Sequence, residues 1–214
     1  MLEHIFVNGC SFNTPNPKAK IGLFVGSLIS DHYNYKLTNF ARGGRGNHTI
    51  SVTTKLYFEQ NPKRKADTLA LIEWSQSGRN DYVTNDNWKP MSGYSSTWRT
   101  FHTRDIIEKM QGFDDEEHES IQILNHIVDL QNYFKLNNIQ YLMYFGLNNT
   151  ITKSKDSQRL LSMIDTTKFF DIDYSHFQWC QDKKYYVSQN DYHPSHQGHR
   201  LWANKLIKYI DDTR

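Results

Sequence analysis

Apolar positions along the chain gather into short blocks separated by polar stretches. Residues 4–9 (HIFVNG) are an apolar run closed by a glycine, the pattern of a buried strand that ends in a turn. Residues 67–75 (DTLALIEWS) and 139–146 (IQYLMYFG) repeat it, and residues 36–40 (KLTNF) predict a further short strand. Helical spacing fills the intervals. Ile21, Phe24, Val25, Leu28 and Ile29 place a helix within 18–33, and another starts within 48–60, after the glycine-rich turn ARGGRGN (41–47). Residues 114–138 form an amphipathic helix. Ile121, Leu124, Ile127, Val128 and Phe134 share its face, and acidic residues crowd its start, where the helix dipole favours them. Residues 154–164 read as helical. A last helix over 196–212 carries the stripe Leu201, Trp202, Leu206, Ile207 and Ile210. Residues 76–105 and 165–194 show no period and read as irregular.

Strand and helix patterns alternate, which predicts an α/β fold with a mainly parallel sheet and helices on both faces. The expected organisation is one domain over residues 1–214, with an irregular insert at about 76–105 and no internal repeat or linker. In such sheets sites lie beyond the carboxyl ends of the strands, near the point where strand order reverses. The loop after the first strand is therefore the first place to look, and there the chain reads Gly9-Cys10-Ser11.

Composition narrows the classes. With 13 Tyr, 12 Phe and 5 Trp, much of the core must be aromatic, and a disordered chain would lack these residues. A formal charge of +2 gives no basic field of the kind that binds nucleic acid, and the locally basic NPKRKAD (61–67) reads as a solvated loop. Two cysteines make neither a disulfide framework nor a C-x-x-C metal site. The first residues, with Glu3 and a short apolar run, are not those of a signal peptide, and no apolar run approaches the roughly 18 residues of a membrane span. The expectation is a cytoplasmic protein with neither membrane nor nucleic-acid partners, and an oligomeric state that the sequence does not define.

Two adjacent nucleophiles, Cys10 and Ser11, follow the first strand. A serine needs a base to take its proton, and the base needs an acceptor that fixes its tautomer. NDYHPSHQGHR (190–200) supplies both: His193 as base and Asp191 as the acceptor two residues before it, on a loop stiffened by Pro194. His196 and His199 read as the start and first turn of the last helix. With His193 they are spaced too awkwardly, across a proline and a helix start, to converge on a metal.

Taken together, GCS after a first strand, GG after a second, a polar loop with Asn after a third, and DYHPSHQGHRLWANKL before the last helix resemble the SGNH (GDSL-type) hydrolases. The order of blocks matches from residue 9 to residue 198. The opening GCSF resembles the form the motif takes in many bacterial and phage members. The resemblance implies a three-layer α/β/α, flavodoxin-like fold and a serine esterase that needs no cofactor. Ser11 matches its nucleophile, His193 its base, Asp191 its acid and Gly44 the second-block glycine of the oxyanion hole. A glycine at position 44 would let a backbone N–H approach the oxyanion without a Cβ in the way.

Three departures stand out. Cys10 replaces the acid that usually precedes the serine. The third block is stretched, so Asn80 fits the oxyanion role by motif while Gln76 or Ser77 fits by distance from the strand. Asn190 holds the usual position of the acid, three before the histidine, and Asp191 sits two before. Trp74 and Ser77, in the same third block, are read as candidate binding residues. Ser11 is preferred over Cys10, since a small thiol beside a strand end is usually buried packing. The implied reaction is hydrolysis of a small acyl ester, acetyl first, with a small molecule or a glycan as substrate. Tyr82, Trp88, Tyr94 and Trp98 of the insert would stack on sugar rings. The alternatives are a catalytically silent SGNH-like binding or structural module, and an acyltransferase using the same residues.

Overall fold

The computed structural model describes residues 2–17, 19–83, 98–102 and 115–213. In chain order the elements are β1 (His4–Asn8), α1 (Val25–Tyr33), β2 (Lys36–Asn39), α2 (Asn47–Gln60), β3 (Thr68–Trp74), β4 (Arg79–Val83), β5 (Trp98–His102), α3 (Asp115–Leu136), β6 (Gln140–Phe145), α4 (Lys155–Leu161), α5 (His176–Asp182), β7 (Tyr186–Ser188), β8 (Asp191–Pro194) and α6 (His196–Thr213). Four parallel strands make the central sheet, in the order β2-β1-β3-β6. Two antiparallel hairpins, β4 with β5 and β7 with β8, stand apart from it.

The strand period of two sends alternate side chains to opposite faces. Ile5, Val7, Leu69, Leu71, Leu142 and Tyr144 pack against Val25 and Ile29 of α1 and Trp202, Leu206 and Ile210 of α6. Phe6, Ala70, Ile72, Trp74, Met143 and Phe145 pack against Ile50 and Phe58 of α2 and Ile127 and Phe134 of α3. Every residue of β1 and β3 is buried, which explains their largely apolar sequence: a parallel sheet covered on both faces has no solvent side. The aromatic surplus goes into this core. Phe6 stacks on Tyr57 with centroids 4.3 Å apart, and Phe134 on Tyr141 at 4.8 Å. Burial of one such ring contributes about 1.5–3 kcal/mol.

The architecture is the expected three-layer α/β/α, and its main strands and long helices stand within a residue or two of the predicted bounds. Three segments differ. The first helix begins at Val25, not near residue 18. Asn16 and Ile21 exchange backbone hydrogen bonds of 2.8 and 2.9 Å, and Lys20 takes a φ of 55°, so the chain from Asn16-Pro17 turns back before any helix starts. Residues 165–194 are not irregular throughout. Ser175 Oγ accepts from the Gln178 N–H at 3.0 Å and opens α5, whose His176, Trp179 and Cys180 are buried at helical spacing. The β7–β8 hairpin follows. Within 76–105, β4 and β5 pair where an irregular insert is expected, since their Tyr, Val, Trp, Thr and Phe residues suit strands. Tyr82 and Trp98 lie on this hairpin, while Trp88 and Tyr94 fall outside the described residues. Among the described residues no helix is long and apolar enough to cross a membrane.

The chain runs from β1 outward to β2, then returns past β1 to β3 and on to β6. Strand order therefore reverses between β1 and β3, which makes their carboxyl ends the place for a site.

Candidate active site

β1 ends at Asn8, whose buried side chain ties the strand end to α2. Its Nδ2 donates to Ile50 O at 3.0 Å, Thr53 Oγ1 at 2.8 Å and Thr54 Oγ1 at 2.9 Å. Its Oδ1 accepts from the Gly9 N–H and the Arg45 guanidinium, each at 2.9 Å. Ser11 then opens a one-turn 3-10 helix, Ser11–Asn13, and is partly exposed. Neither its hydroxyl nor its N–H has a hydrogen-bond partner among the described residues. Cys10, one residue earlier, is fully buried; burial and the Glu73 carboxylate push its thiol up, far from ionising. A thiol kept protonated and out of reach is no nucleophile.

The β7–β8 hairpin brings His193 to this turn. β8 packs against Ser11–Asn13, and the His193 ring lies 5.5 Å from that of Phe12, centroid to centroid. Asp191 Oδ1 accepts from His193 Nδ1–H at 2.6 Å and from the His193 backbone N–H at 3.1 Å. One carboxylate oxygen thus fixes both ring and backbone. Asn16 Nδ2 reaches its Oδ2 at 3.4 Å. Partial burial works against the charge of Asp191, but these bonds with His193 outweigh it and hold the carboxyl below its ordinary value. Because Nδ1 is committed to Asp191, Nε2 is the nitrogen left to accept a proton. No hydrogen bond joins His193 to Ser11 in this structure.

The glycine-rich turn forms the other side. Arg42 N–H donates to Gly9 O at 3.1 Å, and a Cβ built on Gly43 would lie 3.8 Å from Ser11 Cβ. Gly43 is therefore the residue that faces Ser11. Gly44 follows with a φ of 77° and nothing within 4 Å of where a Cβ would be. Its backbone conformation requires glycine, and the space where a Cβ would stand is open.

The third block is spread out. Trp74 is fully buried in the core, its indole N–H on Met143 Sδ at 3.4 Å, so the expected ligand contact there is overturned: the ring points between sheet and helices. Ser77 is also buried, its hydroxyl donating to Glu119 at 3.1 Å, which leaves it no hydroxyl proton for a ligand. Gln76 is exposed, and its carbonyl accepts from Asn47 Nδ2 at 3.1 Å. Asn80 lies on β4 opposite Phe101. Sequence reasoning passed over Asn47, the first residue of α2. Its Oδ1 accepts from the Ser75 N–H at 2.8 Å, and its Nδ2 from above holds the loop after β3 in place. The signal was an Asn directly after the glycine turn, a position that reads as a helix start.

Behind the site, His176 is fully buried, stacked on Trp202 at 4.7 Å and edge-on to Phe12 at 5.4 Å. Burial drives its pKa well below the ordinary value, and burial with the nearby His196 and His193 lowers that of His199 to about 4. Both rings are neutral packing groups, as the sequence suggests for His199. Among the described residues no three His, Cys, Asp or Glu side chains converge as metal ligands would.

No family model matches the chain, and no curated protein matches it in sequence. Solved structures do match in fold. The psychrotrophic esterase EstA of Pseudoalteromonas sp., in a structure inhibited by monoethylphosphonate, is 12% identical with a TM-score of 0.52, over 98% of this chain and 97% of that one. The acetyl xylan esterase Est2A of the rumen bacterium Butyrivibrio proteoclasticus is 10% identical with a TM-score of 0.53; the match covers 98% of this chain but 64% of that one. A candidate SGNH hydrolase of Slackia heliotrinireducens is 10% identical with a TM-score of 0.51, over 98% and 100% of the two chains. With its switch-point serine turn and its parallel β2-β1-β3-β6 sheet, the chain has the three-layer fold of the SGNH hydrolases.

Proposed function

We propose that the protein is a serine ester hydrolase. The observation that carries this reading is the 2.6 Å bond between Asp191 Oδ1 and His193 Nδ1, beside the turn that bears Ser11. In the proposed reaction Ser11 Oγ attacks the ester carbonyl as His193 Nε2 takes its proton. Asp191 holds the opposite ring nitrogen and stabilises the imidazolium. The N–H groups of Ser11 and Gly44, with Asn80, receive the oxyanion. His193 then protonates the leaving alcohol, and water, activated by the same base, frees the acid and restores Ser11.

The substrate we infer is a small acyl ester, acetyl first, on a carbohydrate. The acetyl xylan esterase Est2A has the same fold, and no extended apolar segment of the sequence suggests a groove for a long acyl chain. An acyltransferase would use the same residues with a sugar hydroxyl in place of water. The absent Ser11–His193 hydrogen bond favours one competing reading, a silent binding module. The test is labelling by a fluorophosphonate serine probe, followed by turnover of p-nitrophenyl acetate and acetylated xylo-oligosaccharides. Labelling at Ser11 that Ser11→Ala abolishes supports the hydrolase; an unlabelled wild type supports the module.

A further inference from the structure

The proposed triad leaves one buried carboxylate without a role. Glu73, next to last in β3, is fully buried at the end of the sheet where Ser11 lies. Two glycines make room for it. A Cβ on Gly9 would lie 2.6 Å from Glu73 Cβ, and one on Gly146 would lie 2.4 Å from Glu73 Cγ. Its Oε1 accepts from the Cys10 N–H at 3.2 Å and the Cys10 thiol at 2.8 Å. Its Oε2 accepts from Asn13 Nδ2 at 2.7 Å and the Tyr144 hydroxyl at 3.3 Å. Cys10 and Asn13 bracket Ser11. Asn13 extends the grip, accepting from the Gly26 N–H of α1 through Oδ1 at 3.1 Å and from Asn39 Nδ2 through its backbone O at 2.8 Å. An ionised carboxyl is costly to bury, and an apolar side chain would fill the space at lower cost. What the carboxylate adds is acceptor positions for both ends of one turn, three of its four bonds going to Cys10 and Asn13.

We propose that Glu73 is a positioning residue for the nucleophile. Its ionised carboxylate holds Cys10 and Asn13, and through them the Ser11 hydroxyl and N–H, in the geometry for attack. The proposal rests on Ser11 being the nucleophile. Protonation takes negative charge from the oxygens that Cys10 and Asn13 donate to, which weakens charge-assisted bonds to the turn. Burial raises the pKa of Glu73 to about 7, against hydrogen bonds from Cys10, Tyr144 and the Phe12 backbone. The titratable groups facing it are the Cys10 thiol and the Tyr144 phenol, both kept neutral by burial. Arg79 lies further out, on Ser75 Oγ at 3.3 Å, and α1 and α6 present Gly26 and Trp202 on this side.

The experiment measures the rate and site of fluorophosphonate labelling of the full chain from pH 5 to 9, with kcat and KM on p-nitrophenyl acetate. In the wild type the ionisation of Glu73 should add about one unit of slope to the acid limb. Glu73→Gln presents an amide N–H₂ to donors. Labelling and kcat should fall about tenfold or more, with KM little changed and the slope of the limb reduced by about one. Adding Asn13→Asp restores the match of donor to acceptor and should recover most of the rate. Tyr144→Phe removes one donor from Oε2 and should move the acid limb to higher pH with the plateau kept. If Glu73→Gln labels at the wild-type rate with an unchanged limb, the proposal is overturned. If that variant does not fold, an unmoved limb in Tyr144→Phe overturns it. If the wild type is not labelled at Ser11, the nucleophile assignment fails and the proposal with it; a labelled wild type beside an unaffected Glu73→Gln retires Glu73 alone.

Discussion

Lowering the pH from 7 to 4 should destabilise the fold through two buried histidines. His199 is 2% exposed, and its pKa is lowered from 6.5 to about 4. Its folded value lies below its unfolded one. Between those values the unfolded chain binds the extra proton, so stability is full above pH 6.5 and is lost as the pH falls toward 4. At about 1.4 kcal/mol per pKa unit, His199 alone contributes about 3 kcal/mol that disappears across this window. His176, fully buried and lowered well below its ordinary value by that burial, acts in the same direction. Glu73 opposes them. Its pKa is raised from 4.5 to about 7, so the folded state binds the extra proton, and acidification through this range returns about 3 kcal/mol. Between pH 6.5 and 4.5 Glu73 and His199 largely cancel, and His176 leaves a net loss. Urea denaturation at half-unit pH steps measures the balance. His199→Gln should flatten or reverse the wild-type slope, whereas Glu73→Gln should steepen it. The slope is the readout, because either substitution shifts absolute stability. Parallel curves for wild type and His199→Gln would refute the reasoning.

Three further outcomes are expected. Cys10→Ala should cost about 1 kcal/mol in urea stability and slow fluorophosphonate labelling far less than Ser11→Ala does, and iodoacetamide should leave the native chain unmodified at Cys10, checked by mass spectrometry. Asp191→Asn should lower kcat/KM on p-nitrophenyl acetate about 10- to 100-fold, the scale of a charge-assisted hydrogen bond in a pair that water still reaches; a change under about threefold would remove Asp191 from the mechanism. Gly146→Ala drives a methyl into Glu73 and should lose about 1–3 kcal/mol, read as a lower urea midpoint.

The sheet was legible in the sequence because a strand buried on both faces is mostly apolar, as residues 69–72 and 141–145 are. The long helices α3 and α6 were legible from their stripes. The start of α1 was not: Ile21 keeps the helical spacing, but it is buried on a tight turn that Asn16 closes by backbone bonds. Asp191 and His193 were legible only as neighbours on one loop; the strand β8, whose residues two apart share a face, was not predicted. Glu73 went unread because a lone acid in an apolar run carries no periodic signal. Its trace was indirect, in the glycines that close β1 and β6 on either side. The proposed oxyanion side is the least legible part, because Gly43 and Gly44 look alike in sequence while only Gly44 takes a positive φ and only Gly43 has its Cβ position beside Ser11.

The proposed acid and base, Asp191 and His193, are carried by the same four-residue strand, β8. Their relative placement is a local matter, decided by one hairpin before the rest of the molecule has any say. If the hairpin shifts as a body, the gap between His193 and Ser11 changes while the imidazole keeps its tautomer. Insertions should therefore be tolerated very unevenly. Extra residues at the tip, beside Gln189 and Asn190, leave the pair intact. A single residue added between Asp191 and His193 puts the two side chains on opposite faces and separates the carboxylate from the ring.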